Sequence, residues 1–150
     1  MIDWYKKVVF ENYANFTGRA RRSEYWYYTL CNILIQGLLY VLFIITAGLF
    51  ANTDAADNTI GLGVGIFMTI LGLYSLGVFL PSLAVTVRRL HDTGKSGWML
   101  LLYFIPLIGP ILIIIWLATE GMPGSNNWGP NPKQINDSIN EIGTTGIERY

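Results

Sequence analysis

The sequence predicts an all-α membrane protein with three transmembrane helices, preceded by a short N-terminal interfacial amphipathic helix. Three observations predict it. Charged residues are 13% of the 150 residues, about half the ~25% usual in soluble domains. They are also clustered: 29 uncharged positions separate Glu24 from Asp54, 30 separate Asp57 from Arg88, and 24 separate Lys95 from Glu120. A bilayer core takes about 20 apolar helical residues, so each run crosses once and none crosses twice. A soluble domain built on such runs would leave its helices without a polar face.

Three segments follow from this pattern: residues 1–24, a cytoplasmic amphipathic and basic segment; 25–119, the three-span domain; and 120–150, a polar tail, periplasmic and partly disordered. In the first, Tyr5, Val8, Val9, Asn12, Tyr13 and Phe16 recur at helical spacing, with Asp3, Lys6, Lys7 and Glu11 mostly opposite. Such a helix suits the membrane interface or packs on the ends of the spans. Thr17-Gly18 ends it, and a basic run with Arg19, Arg21, Arg22 and Glu24 follows.

The first span covers about 26–50, behind the aromatic belt Tyr25-Trp26-Tyr27-Tyr28. No cleavable signal peptide is expected, because this apolar run begins late and is too long for an h-region. Asn32 and Gln36 share a face. Intramembrane amides usually bond a neighbouring helix, for about 1 kcal/mol, so helix–helix adhesion is preferred to a substrate path. The loop 51–59 carries Asp54 and Asp57 and no basic residue.

The second span covers about 60–87. Gly61 and Gly65 open a small-residue stripe continued by Thr69, Gly72 and Ser75, which suits intramolecular packing or a homo-oligomer equally. Pro81 either kinks this helix or ends its spanning part. A polar hairpin follows, Arg88 to Trp98, with Gly94 and Gly97 for turning and Ser96 as a cap. The third span covers about 97–119, with Pro106 and Pro110 kinking it at mid-depth. If it re-enters at Pro106 instead, the tail returns to the side it left. Gly121 to Pro132 is turn-rich, the region beyond Lys133 frays, and Asn136-Asp137-Ser138 is a bare sequon match.

Lys6, Lys7, Arg19, Arg21 and Arg22 precede the first span, and Arg88, Arg89 and Lys95 fill the second loop. The positive-inside rule places both on the cytoplasmic side of the membrane, and three crossings send the tail outside. The lipid bilayer is then the main environment. Net charge is zero, so no nucleic-acid partner is indicated. Cys31 is the sole cysteine, which excludes an intramolecular disulfide and a multi-cysteine metal site.

Four ordered motifs give the chain a resemblance. Phe16 to Trp26 (FTGRARRSEYW) and Arg88 to Trp98 (RRLHDTGKSGW) resemble the first two motifs of a family of small bacterial inner-membrane proteins, domain of unknown function 805. Ile105 to Gly109 and Gly124 to Pro132 look like its third and fourth. The resemblance covers about Trp4 to Pro132. It implies an inner-membrane protein with three or so spans and no assigned activity. The chain departs in a longer acidic loop, a longer tail, and Asn131 where the family often carries an acidic residue.

The candidate site is the set Arg19, Arg21, Arg22, Glu24, Arg88, Arg89, His91, Asp92 and Lys95, brought together by the shared side. The preferred reading is structural, with arginine–carboxylate pairs tying helix ends together in a protein that binds a partner or supports an assembly. One alternative is an anion site for phosphate or an anionic lipid headgroup, which arginine's fork suits. Another is a small oligomeric transporter or channel along the Asn32/Gln36 face. No catalytic constellation stands out: His91 and Asp92 are adjacent, so on a helix they point about 100° apart. No cofactor or metal is expected from one histidine and scattered carboxylates.

Overall fold

A computed structural model describes residues 1–50 and 56–134. The loop residue Asp54, the side chain of Asp57, the sequon at Asn136 and the tail beyond 134 lie outside what is described. Among the described residues all regular structure is helical, apart from one isolated bridge between Asn126 and Gly129.

Helix α1 spans Ile2–Lys6 and continues into a π-helical turn over Lys7–Glu11. It packs onto the rest of the chain rather than only lying at an interface. Val8 is fully buried against Ala20, Tyr28 and Val85, and Tyr5 stacks on Tyr28 at 5.7 Å. Its outer face, with Ile2 and Phe10, stays exposed.

Helices α2 (Arg22–Phe50) and α3 (Ala56–Asp92) are the two helices long and apolar enough to cross a membrane. They pack side by side, joined by Phe43 stacked on Phe67 at 4.2 Å and by hydroxyls. The Tyr74 hydroxyl donates to Asn32 Oδ1 at 2.7 Å, and Tyr28 and Ser82 share a hydrogen bond of 2.8 Å. Most of their remaining surface is apolar and exposed, as suits a lipid environment. α3 runs unbroken past Pro81 to Asp92, so the proline does not end the helix. Arg88 to Asp92, expected on a hairpin, form its last turns.

The single helix expected over 97–119 is corrected to two pieces. A 3-10 helix covers Gly97–Phe104 and α4 covers Ile108–Ala118. The break falls at Pro106, whose ring cannot continue a helix, and at Leu107, which takes a left-handed φ of 68°. Eleven α-residues rise about 17 Å and eight 3-10 residues about 16 Å, each roughly half of a ~30 Å core. The two pieces turn back on each other. A Cβ at Gly109 would fall on the Leu102 carbonyl, so only glycine permits this approach.

Both ends of the segment sit at the C-terminal end of α3. A Cβ at Gly97 would lie 2.9 Å from Val87 Cγ1, and the Met122 N–H donates to the Asp92 carbonyl at 2.8 Å. Leu90, Ile113 and Leu117 form a buried cluster there, with Tyr25, Leu100, Leu102 and Trp116 around it. The turn-rich stretch 121–131 then folds over the same end.

Candidate functional site

The site grows from the last turns of α3. Positions 89 and 92 are three apart and share a face, while Leu90 turns toward Ile113 and Leu117. Arg89 therefore donates through Nη1 to Asp92 Oδ2. Arg19 arrives from the turn at Gly18, which takes φ +80°, and the Ala20 N–H donates to the Arg88 carbonyl at 3.0 Å. That backbone bond sets Arg19 Nε 2.9 Å from Asp92 Oδ1. One carboxylate thus holds two arginines, with side chains 1%, 0% and 6% exposed for Arg19, Arg89 and Asp92.

The remaining arginine donors go to backbone carbonyls. Arg19 Nη2 donates to Met122 O and Nη1 to Gly124 O, each at 2.6 Å. Arg89 Nε donates to Leu117 O at 3.1 Å and Nη2 to Thr119 O. The Leu117 carbonyl lies in α4's last turn, which lacks intrahelical partners and carries the negative end of the helix dipole. Arg89 therefore caps α4 from a different helix. Arg21 donates from Nε to Pro132 O at 3.0 Å and again from Nη2.

His91 stacks on Trp128 at 4.7 Å, its Nδ1 donates to the Gly18 carbonyl at 3.2 Å, and Asn126 Nδ2 donates to the His91 carbonyl at 2.8 Å. Burial pushes the His91 imidazole below its ordinary value, partly offset by that Gly18 bond. His91 and Asp92 do not pair with each other. Asp92 is engaged by two guanidiniums, so it does not orient the imidazole as the partner of a general base would.

Arg88 and Glu24 form a second buried pair. Nη1 lies 2.8 Å from Oε1, and Lys7 Nζ lies 3.8 Å from Oε2. The Arg88–Glu24 approach is close but out of hydrogen-bond alignment. Glu24 Oε1 and Arg88 Nε and Nη2 make no hydrogen bond among the described residues. This pair is an electrostatic contact with unused donors, unlike the fully bonded Arg19–Asp92–Arg89 node.

The predicted set is therefore divided. Arg19, Arg89 and Asp92 come together, Arg88 joins Glu24, and His91 turns to Trp128. Arg22 is exposed and has no ion pair or hydrogen bond among the described residues, while Lys95 sits over the Trp116 ring at 4.7 Å. Asn32 bonds Tyr74, but Gln36 is exposed and takes no part in that bond. No group of three His, Cys, Asp or Glu able to hold a metal occurs among the described residues. Sequence reasoning missed the partners from 117–132, namely six backbone carbonyls, Asn126 and Trp128. The dense Gly, Asn and Pro content there signalled turns, but the three-crossing reading put it on the opposite face.

Comparisons with known proteins place the chain in a family. A family model described as Protein of unknown function (DUF805) matches residues 13–130. The chain is 44% identical over 136 residues to Inner membrane protein YhaH of Escherichia coli K12, covering 88% of this chain and 98% of that one. It is 40% identical over 133 residues to Inner membrane protein YhaI of the same organism, covering 88% and 97%. No solved structure matches.

Proposed function

Because the chain belongs to the DUF805 family and its relatives are inner-membrane proteins, we propose a non-enzymatic inner-membrane protein that binds a partner within the bilayer. Its frame is two crossings, α2 and the apolar part of α3 up to about residue 87, with 97–118 as a re-entrant hairpin. The N-terminus, the Arg88–Asp92 turns and residues 119–134 share the cytoplasmic side, which carries nearly all the basic residues. The observation that carries this reading is Asp92 held by Arg19 and Arg89, whose other donors grip the carbonyls of 117–124. The charge-dense motifs act as a lock on the architecture rather than as a chemical centre.

Gly109 is buried where α4 meets the Leu102 carbonyl, which ties the two pieces of the hairpin together just past the break. The Asn32–Tyr74 bond favours adhesion over a conduction path. The outward Gly61, Gly65 and Thr69 face, where added Cβ atoms on the glycines would meet nothing within 4 Å, is the surface on which a second helix docks. A reporter fused after residue 134 should read cytoplasmic, and a periplasmic readout overturns the topology. Extracted in mild detergent, the chain should run larger than a monomer and Gly65→Leu should shrink it; a monomer insensitive to that change overturns the docking.

A further inference from the structure

The lock uses Arg19 and Arg89 fully, and Arg88 pairs with Glu24, yet three other basic residues of the same motifs stand outside both pairings. Arg21, Arg22 and Lys95 line an open cleft of about 650 Å³ together with Trp116, Met122 and Pro123. Cationic and apolar side chains thus share its lining, Lys95 lying against Trp116 itself. Asp92 also reaches the cleft, but both its oxygens are held by Arg19 and Arg89. Glu120 is held by Lys133 at 2.7 Å, a bond that also keeps its carboxyl below the ordinary range. Counting the lining and the two arginines behind it, Arg19, Arg21, Arg22, Arg89, Lys95 and Lys133 face only two carboxylates.

That excess stands beside Trp116, near the end of the re-entrant α4, where chain leaves the apolar layer. The Lys95 ammonium is held against the Trp116 ring rather than by an acid. Arg22 lacks an acidic partner within ion-pair distance among the described residues, and Arg21 keeps Nη1 beyond its two bonds to Pro132. Arginine's planar fork matches phosphate oxygens, and lysine adds a point charge.

We propose that this cleft binds a phosphate group, gripped by Arg22 and Lys95 with Arg21 beside them. The source is an anionic phospholipid headgroup, its acyl chain along Trp116, or a soluble phosphate. The site is separate from the buried lock and stands or falls independently of it.

The test uses the full chain in nanodiscs of mixed phosphatidylglycerol and phosphatidylcholine, released into native mass spectrometry. Phosphatidylglycerol should be retained over phosphatidylcholine. Arg22→Ala/Lys95→Ala should weaken retention about thirtyfold, from two basic residues at a membrane surface. The single variants Arg22→Gln and Lys95→Gln carry the same test if the double variant unfolds. Retention that survives millimolar inorganic phosphate assigns the lipid, and displacement by it assigns a soluble phosphate. Equal retention of the two lipids together with no phosphate binding overturns the proposal. So does Lys6→Ala, on the outer face of α1, weakening retention as much as Arg22→Ala, since diffuse surface charge would then account for it.

Discussion

Arg19 and Asp92 stand 73 positions apart in the chain and meet at 2.9 Å, both side chains almost wholly buried. Between them lie both long helices, so this one pair closes the loop of chain that holds α2 and α3. Asp92 holds Arg89 as well, and the two guanidiniums extend the closure to 117–124.

Removing the shared carboxylate strands two buried cations. Asp92→Asn keeps the shape and loses the charge. Breaking a buried pair by one partner costs about 3–5 kcal/mol. Asp92→Asn should lower the thermal midpoint in detergent sharply, while Glu120→Gln, at an exposed pair, should move it little. Equal midpoints for the two variants would sink the lock.

The break of the third segment rests on a backbone approach. At Gly109 a Cβ would fall on the Leu102 carbonyl, which cannot swing aside as a side chain can. Gly109→Ala should therefore cost about 1–3 kcal/mol or more. Gly72, where nothing lies within 4 Å, is the control: alanine there should be neutral or stabilising by up to about 1 kcal/mol. Protease sensitivity of 97–121, measured with the melting midpoint, distinguishes local opening of the hairpin from global loss.

These two sites show what was legible in the sequence. Apolar runs state helix existence directly, so α2 and α3 and the amphipathic start were readable. Arginine–carboxylate pairing was readable only as a class; which arginine meets Glu24 and which meets Asp92 was not. The fate of 97–119 stood between a crossing kinked at Pro106 and re-entry there, with the crossing preferred. An apolar run of 24 residues satisfies a crossing by length. It folds back because Pro106 and Gly109 permit a turn and because Arg89 recovers the α4 carbonyls. The second reason depends on contacts across nearly 30 positions and leaves no local mark. Placing the segment as one crossing also hid Trp128, the residue that covers His91.

The His91 environment predicts a pH effect. Its folded value lies below the ordinary 6.5, chiefly through burial. Below that ordinary value the unfolded chain takes up a proton that the folded chain resists, so unfolding gains. The stability contribution is fully present above pH 6.5 and declines as pH falls toward the folded value. Thermal midpoints should drop between pH 7.5 and 5.5, and His91→Gln should flatten that part of the profile. An unchanged slope in His91→Gln would assign the effect to the carboxylates instead.

The hydroxyl bridge between the two long helices predicts a smaller effect with a distinct signature. Tyr74 donates to Asn32 Oδ1 at 2.7 Å, and Asn32 Nδ2 in turn donates to the Tyr28 carbonyl at 3.0 Å. Tyr74→Phe removes the hydroxyl and keeps the ring. Interhelical bonds of this kind average about 0.6 kcal/mol and reach about 1.7. Asn32→Ala loses this bond and its own bond to the Tyr28 carbonyl, and the double variant should cost less than the sum, since both single variants remove the shared Tyr74–Asn32 bond. A double-mutant cycle in bicelles reads that coupling. Strict additivity would mean that the two residues act apart and that the helices are held by packing alone.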